Sequence, residues 1–203
     1  MMVKTSRAGE LQRLAEEAAC CKACDLYRNA TQTVFGQGPA DARLLLLGEQ
    51  PGDQEDKAGE PFVGPAGRIL DKALGEAGLR RDDVYLTNAV KHFKWTAKGK
   101  RRIHQRPSAG EMAACAPWLQ AELALIDPTL IVVLGATAGQ ALFGSRFRVG
   151  TARGQVLDFD DRPVIATIHP SAVLRAQEPA DRDAQYSGFV ADLRRAVEVL
   201  AKT

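Results

Sequence analysis

Apolar and polar positions follow two regimes along this chain. The first is a set of short apolar runs: "ARLLLLG" (42–48), "DVYLTNAV" (83–90), "TLIVVLG" (129–135) and "PVIATIHP" (163–170). Near-continuous runs of this length predict strands buried on both faces, as in a parallel sheet. Gln155–Phe159 reads as a further strand. The second regime is helical spacing. Residues 8–19 read as a helix, and "PAGRILDKALGEAG" (65–78) has apolar residues at 69, 70, 73, 74 and 77, with Gly78 placed to end it. Ser108 and Glu111, three apart, form a capping box that opens a helix to about Ile126. An alanine-rich short helix follows the third run, and an amphipathic helix covers Gln185–Leu200. Strands alternating with helices predict an α/β fold, a three-layer α/β/α sandwich around a mainly parallel sheet. Length and continuity predict one domain over 1–203, without repeats or linkers.

Composition narrows the function classes. No run approaches the ~18 apolar residues of a membrane span. The N-terminus lacks a charged-then-apolar signal pattern, so a cytoplasmic location is expected. Net charge is only +2, yet seven basic residues and no acid lie between Lys91 and Arg106. With those seven set aside, 27 basic residues fall to 20 against 25 acidic ones. A positive field confined to one segment is the footprint of a phosphate-contacting surface. Four cysteines (Cys20, Cys21, Cys24 and Cys115) in a cytoplasmic chain point to metal ligands or core residues rather than disulfides.

In an open parallel sheet the ligand crevice lies beyond the carboxyl ends of the strands. Glu49 and Gln50 follow the first strand, Asn88 ends the second, and His169 follows the last. A carboxylate, two amides and an imidazole thus share one rim. The loop 48–67 lacks the G-x-G-x-x-G spacing of a dinucleotide site and is not a P-loop. It is suited instead to placing backbone amides and Phe62 around a flat neutral ring.

Three segments, "GEQPGDQEDKAGEPFVGPAG", "VYLTNAVK" and "IHPSAVL", resemble the hallmark segments of the uracil-DNA glycosylase superfamily, above all its iron–sulfur branch, family 4. The insertion "KGKRRIH" is similar to that of the subgroup called UdgX. The resemblance runs from about Cys21 to the last helix. It implies uracil-containing DNA, single-stranded DNA included, as the partner of a monomeric enzyme. Asn88 would read the uracil edge, Phe62 would stack on the ring, and His169 would donate to the uracil oxygen as charge grows there. Gln50 would line the pocket. Asp56 would position groups or hold a water, with a solvated loop acid as the plain alternative. His104 would attack the anomeric carbon and stay bonded to it, aided by Glu49. Lys100, Arg101 and Arg102 would hold flanking phosphates.

Cys21-x-x-Cys24 and Cys115 supply three thiolates, and His92 stands where family 4 has a cysteine. The resemblance therefore implies a 4Fe-4S cluster on Cys21, Cys24, His92 and Cys115. A zinc ion on the same Cys₃His set is the rival. Two other functions stand against the covalent one. The first is a conventional glycosylase that turns over. The second is a non-catalytic iron–sulfur protein that binds nucleic acid through its basic segment.

Overall fold

A computed structural model describes residues 6–203. Its strands are β1 (Leu44–Gly48), β2 (Val84–Asn88), β3 (Trp95–Lys98), β4 (Arg101–His104), β5 (Leu130–Leu134), β6 (Val156–Phe159) and β7 (Arg162–Thr167). Its helices are α1 (Arg7–Ala19), α2 (Asp53–Ala58), α3 (Pro65–Glu76), α4 (Ala109–Ile126), α5 (Ala136–Phe143), α6 (Val149–Ala152), α7 (Ser171–Arg175) and α8 (Pro179–Leu200).

Five strands form one sheet in the order β2-β1-β5-β7-β6, parallel except for β6, which pairs antiparallel with β7. Period-2 alternation splits the apolar runs between two cores. Leu44, Leu46, Leu86 and Val132 face α3 and α8, while Leu45, Leu47, Ile131 and Val133 face α4 and α5. A helix layer on each side of the sheet gives the three-layer α/β/α architecture. No helix among the described residues is long and apolar enough to cross a membrane.

Local signals set the helix ends. The side chain of Ser108 accepts from the Glu111 amide at 3.2 Å, and Glu111 Oε2 accepts from the Ser108 amide at 2.6 Å. This is the reciprocal capping box the sequence predicts. α8 starts at Pro179, six positions earlier than its apolar pattern, because proline at the first turn opens a helix whose first residues are polar.

The structure adds a short helix and a two-stranded ribbon that the sequence pattern does not announce. α2 occupies "DQEDKA", which has no apolar period to announce it. β3 and β4 form a separate two-stranded ribbon, with Lys98 opposite Arg101 and Trp95 opposite His104. Gly99, at φ 60°, allows the two-residue turn between them. Both strands are mostly solvent-facing, so no alternation toward a core marks them.

Candidate active site

The carboxyl ends of β1, β2, β5 and β7 open on a cleft of about 900 Å³. Glu49, Gln50, Phe62, Asn88, His104 and His169 all line it. Parallel pairing places Gly48 opposite Asn88, which brings the second strand's terminal amide next to the residues that follow the first. A Cβ on Gly48 would lie 2.3 Å from Asn88 Oδ1 and 2.6 Å from Phe62 Cζ, so only glycine lets both side chains reach this end of the cleft. Phe62 has φ 57°, a costly conformation for a bulky residue. Arg81 holds it there, donating to Pro61 O at 2.7 Å and to Phe62 O at 3.1 Å. Glu55 braces the same loop, accepting from Gly52 N at 3.1 Å and from Gly64 N at 2.8 Å.

The Phe62 ring stacks near His169, with centroids 6.2 Å apart and an interplanar angle of 28°. The Ser171 amide donates to His169 Nδ1 at 3.1 Å, and Ser171 Oγ lies 2.7 Å from the same nitrogen. Because Nδ1 accepts, the neutral ring carries its proton on Nε2, free to donate. Burial, with Arg175 and His104 adding repulsion, pulls the His169 pKa down to about 4. Arg175 also donates to Ser171 Oγ at 2.7 Å, completing a chain from guanidinium through hydroxyl to imidazole. Sequence alone does not single out Ser171 and Arg175. The signal was present, since the serine lies two residues beyond His169 and the arginine one helical turn after the serine.

The depressed pKa has a stability consequence. Unfolded chains take up a proton on this imidazole near pH 6.5, and the folded protein does so only near pH 4. The unfolded state therefore binds more protons between those values, and stability falls as pH drops through that window. The His169 contribution amounts to ~3 kcal/mol when complete. Thermal unfolding between pH 7 and pH 4 should show this slope, and the slope should flatten in His169→Gln.

His104 ends β4 with its Nε2 3.4 Å from Glu49 Oε1. Its ring lies 6.1 Å from that of Phe93 and is about half exposed, at 49%. Partial burial lowers the imidazole pKa, Glu49 opposes that shift, and Arg175 adds to it. The ring is thus biased toward its neutral, nucleophilic form.

Three residues have structural partners that the sequence does not announce. Gln50 lines the cleft, but its amide holds the ribbon. Oε1 accepts from Lys94 N at 3.2 Å, while Nε2 donates to Lys94 O at 3.2 Å and Gln105 O at 3.0 Å. Asp56 positions neighbouring groups and is not a solvated acid. It is fully buried, accepting from Thr31 N at 2.9 Å, Thr31 Oγ1 at 2.6 Å and Arg102 Nη1 at 2.6 Å. Arg102 is correspondingly unavailable to phosphate. It bonds Asp53 and Asp56, both at 2.6 Å, and packs over Phe93 and Trp95. Lys100 and Arg101, at the ribbon tip, are exposed.

Comparison with known proteins bears on this arrangement. The sequence model of the Uracil DNA glycosylase superfamily matches residues 35–194. This chain belongs to that superfamily. It is 40% identical over 167 residues to a Type-4 uracil-DNA glycosylase of Thermotoga maritima, covering 81% of this chain and 83% of the relative. A Type-4 uracil-DNA glycosylase of Archaeoglobus fulgidus is 36% identical over 172 residues, 81% of this chain and 83% of its own. A Type-5 uracil-DNA glycosylase of Thermus thermophilus is 38% identical over 131 residues, 56% of each chain.

Cys21 and Cys24 precede the span matched to the uracil DNA glycosylase superfamily, whereas His92 and Cys115 fall inside it. Folding nonetheless groups the cysteines around Leu26, Val90, Met112 and Trp118. Trp118 Nε1 donates to Cys21 Sγ at 3.2 Å, and Lys91 N donates to Cys115 Sγ at 3.2 Å. Burial, reinforced by the neighbouring cysteines, raises the Cys24 thiol pKa and pushes that of Cys115 up to about 11. Cys20 is exposed. Thr33 Oγ1 spends its one proton on Ala18 O at 3.1 Å, so it accepts from His92 Nε2 at 2.9 Å. Burial keeps His92 neutral, and its Nδ1 lone pair remains as a donor. Among the described residues, no three His, Cys, Asp or Glu side chains surround one point closely enough to share a single ion.

Proposed function

We propose that this protein excises uracil from DNA and then captures the resulting sugar on His104, leaving a protein–DNA adduct after one turnover. The observation that carries the reading is the placement of His104 3.4 Å from Glu49 in the cleft that also holds Asn88, Phe62 and His169. The base end of the cleft recognises and expels. The Asn88 amide complements one donor/acceptor pattern, which favours uracil over cytosine, and Phe62 supplies the stacking surface for an extruded base. As the C1′–N1 bond breaks, its electron pair leaves with uracil. The neutral Nε2–H of His169 stabilises the charge growing on the base oxygen. The sugar remains as an oxocarbenium ion. The ring nitrogen of His104 that carries the lone pair bonds to C1′, and the imidazolium so formed can release its remaining N–H proton toward Glu49.

A second reading rests on Glu49 itself. Its carboxylate lies at the cleft, 22% exposed, and can orient a water against C1′, giving conventional turnover. Incubation with a uracil-containing oligonucleotide followed by a denaturing gel separates the readings. A shifted band that survives SDS and heat is expected. Free, alkali-labile DNA alone would establish the second reading, and salt-dependent binding without base release would establish a passive binder.

The DNA backbone is read by the ribbon tip. Alanine at both Lys100 and Arg101 should lower the slope of log K against log salt by ~2. Alanine at Arg102, whose charge Asp53 and Asp56 already neutralise, should leave that slope nearly unchanged.

We further infer that Cys21, Cys24, Cys115 and the Nδ1 of His92 hold a 4Fe-4S cluster. The residues fit such a group. The thiols lie close together, Cys115 buried and Cys21 and Cys24 partly so, Cys21 and Cys115 already accept N–H donors, and cubane ligands each bind a separate iron rather than crowding around one ion. Metal binding would supply the thiolate form that burial otherwise disfavours. The cluster's contribution is structural, tying the segment after α1 to α4 and to the turn after β2. Iron and sulfide analysis with a broad visible absorption should report it, and Cys115→Ser should lose both. A colourless protein with stoichiometric zinc would overturn the assignment.

A further inference from the structure

Behind the cleft lies an ion pair that the excision steps do not use. Lys91 is 1% exposed and Glu122 is fully buried, and the two are in direct contact. The Lys91 ammonium donates to Thr87 Oγ1 at 2.6 Å, to Asn88 O at 2.8 Å and to Glu122 Oε2, so each of its three protons has a taker. Glu122 Oε1 accepts from Gly36 N at 3.0 Å, Tyr85 Oη at 3.0 Å and Thr87 Oγ1 at 2.9 Å.

A fully buried ion pair is a poor source of stability, because an apolar pair of similar volume often does as well or better. What this pair does locally is specific. β2 ends at Asn88, where ladder pairing with β1 stops. The carbonyl of Asn88 is taken by Lys91 instead. The next amides are fixed as well, Ala89 N on Gly48 O at 2.9 Å and Val90 N on Glu49 O at 3.0 Å. With the carbonyl and the N–H of the peptide unit that follows it both anchored, the Asn88 backbone is held in one orientation, and its side chain lines the cleft.

We propose that Lys91 and Glu122 are positioning residues for base recognition: Glu122 orients the Lys91 ammonium, and Lys91 clamps the Asn88 carbonyl so that the amide meets the base edge in register. The proposal rests on Asn88 as the uracil reader. A displacement of about 1 Å at a recognition group can cost ~10²-fold in rate.

The test compares four variants at a temperature where each is folded. Lys91→Met/Glu122→Gln removes both charges while retaining an oxygen acceptor for Gly36, Tyr85 and Thr87. It should slow single-turnover excision ~10- to 100-fold and weaken inhibition by free uracil, with affinity for abasic DNA unchanged. Tyr85→Phe removes a partner of Glu122 without touching Asn88. It should lower the melting temperature yet excise uracil at the parental rate. Thr87→Val removes one anchor of the ammonium and should show the same two losses in smaller degree. Asn88→Ala should abolish inhibition by uracil.

A folded Lys91→Met/Glu122→Gln protein with parental excision and uracil inhibition overturns the proposal. So does a loss of excision in Tyr85→Phe matching that of the double variant for the same fall in melting temperature. Should the double variant not fold, an unchanged Thr87→Val overturns it. If Asn88→Ala alone alters uracil inhibition, base reading stands and the clamp falls. If Asn88→Ala alters nothing, both fall.

Discussion

Replacing His104 with alanine is expected to eliminate the heat- and SDS-stable protein–DNA band while uracil is still released. The expectation follows from a division of labour in the cleft. On the proposed mechanism, bond breaking depends on the base end, on His169, Asn88 and Phe62, whereas His104 lies beside Glu49 and meets the sugar. Without the imidazole the sugar cation is captured by water, and the DNA product becomes alkali-labile. Uracil release should stay within ~10-fold of the parent, since general-base assistance from Glu49 remains. His104→Ser should go further toward turnover, leaving room for a water at hydrogen-bonding distance of the carboxylate. The pH dependence has a defined sign. The His104 pKa is lowered, so the lone pair is available below the usual imidazole midpoint, and capture should decline only as pH falls through that lowered value. Quench-flow sampling with denaturing gels reads both products. A band undiminished in His104→Ala would identify another nucleophile.

Replacing His169 with alanine is expected to have the opposite signature, with both products lost together. Removing one donor to a developing anion in a sheltered site costs ~10²- to 10³-fold in rate. Here the donor is well defined, because Ser171 fixes Nδ1 as acceptor and leaves the proton on Nε2. With its pKa near 4, His169 is neutral from pH 5 to pH 8, so it should add no inflection to the rate profile in that range. Single-turnover uracil release under excess protein measures the loss. Affinity for DNA already lacking the base should be unaffected. A His169→Ala protein with parental uracil release would remove the leaving-group donor from the mechanism.

The central sheet could be read from sequence because four of its strands are buried on both faces, and apolar runs report that burial directly. The rim of the cleft was legible for a related reason: in an open sheet, residues just beyond the carboxyl ends of neighbouring parallel strands share one crevice. Elements without apolar content were not. α2 is polar up to its last residue, and the β3–β4 ribbon carries cations on strands that face solvent. Partner-dependent roles were hidden for another reason. Nothing in "KRRIH" distinguishes Arg102 from Arg101, and only folding against Asp53 and Asp56 makes the former a strut and leaves the latter free. Gln50 is similar. Its position predicts a pocket amide, yet the backbone of Lys94 and Gln105 claims its hydrogen bonds.

The ribbon that carries His104 shares no ladder with the central sheet and is fastened mainly by side chains, Gln50 at its base and Arg102 along its length. Such an appendage is a graft. Its loss would leave the sheet and the base end of the cleft in place, so the proposed capture step is separable from the scaffold beneath it.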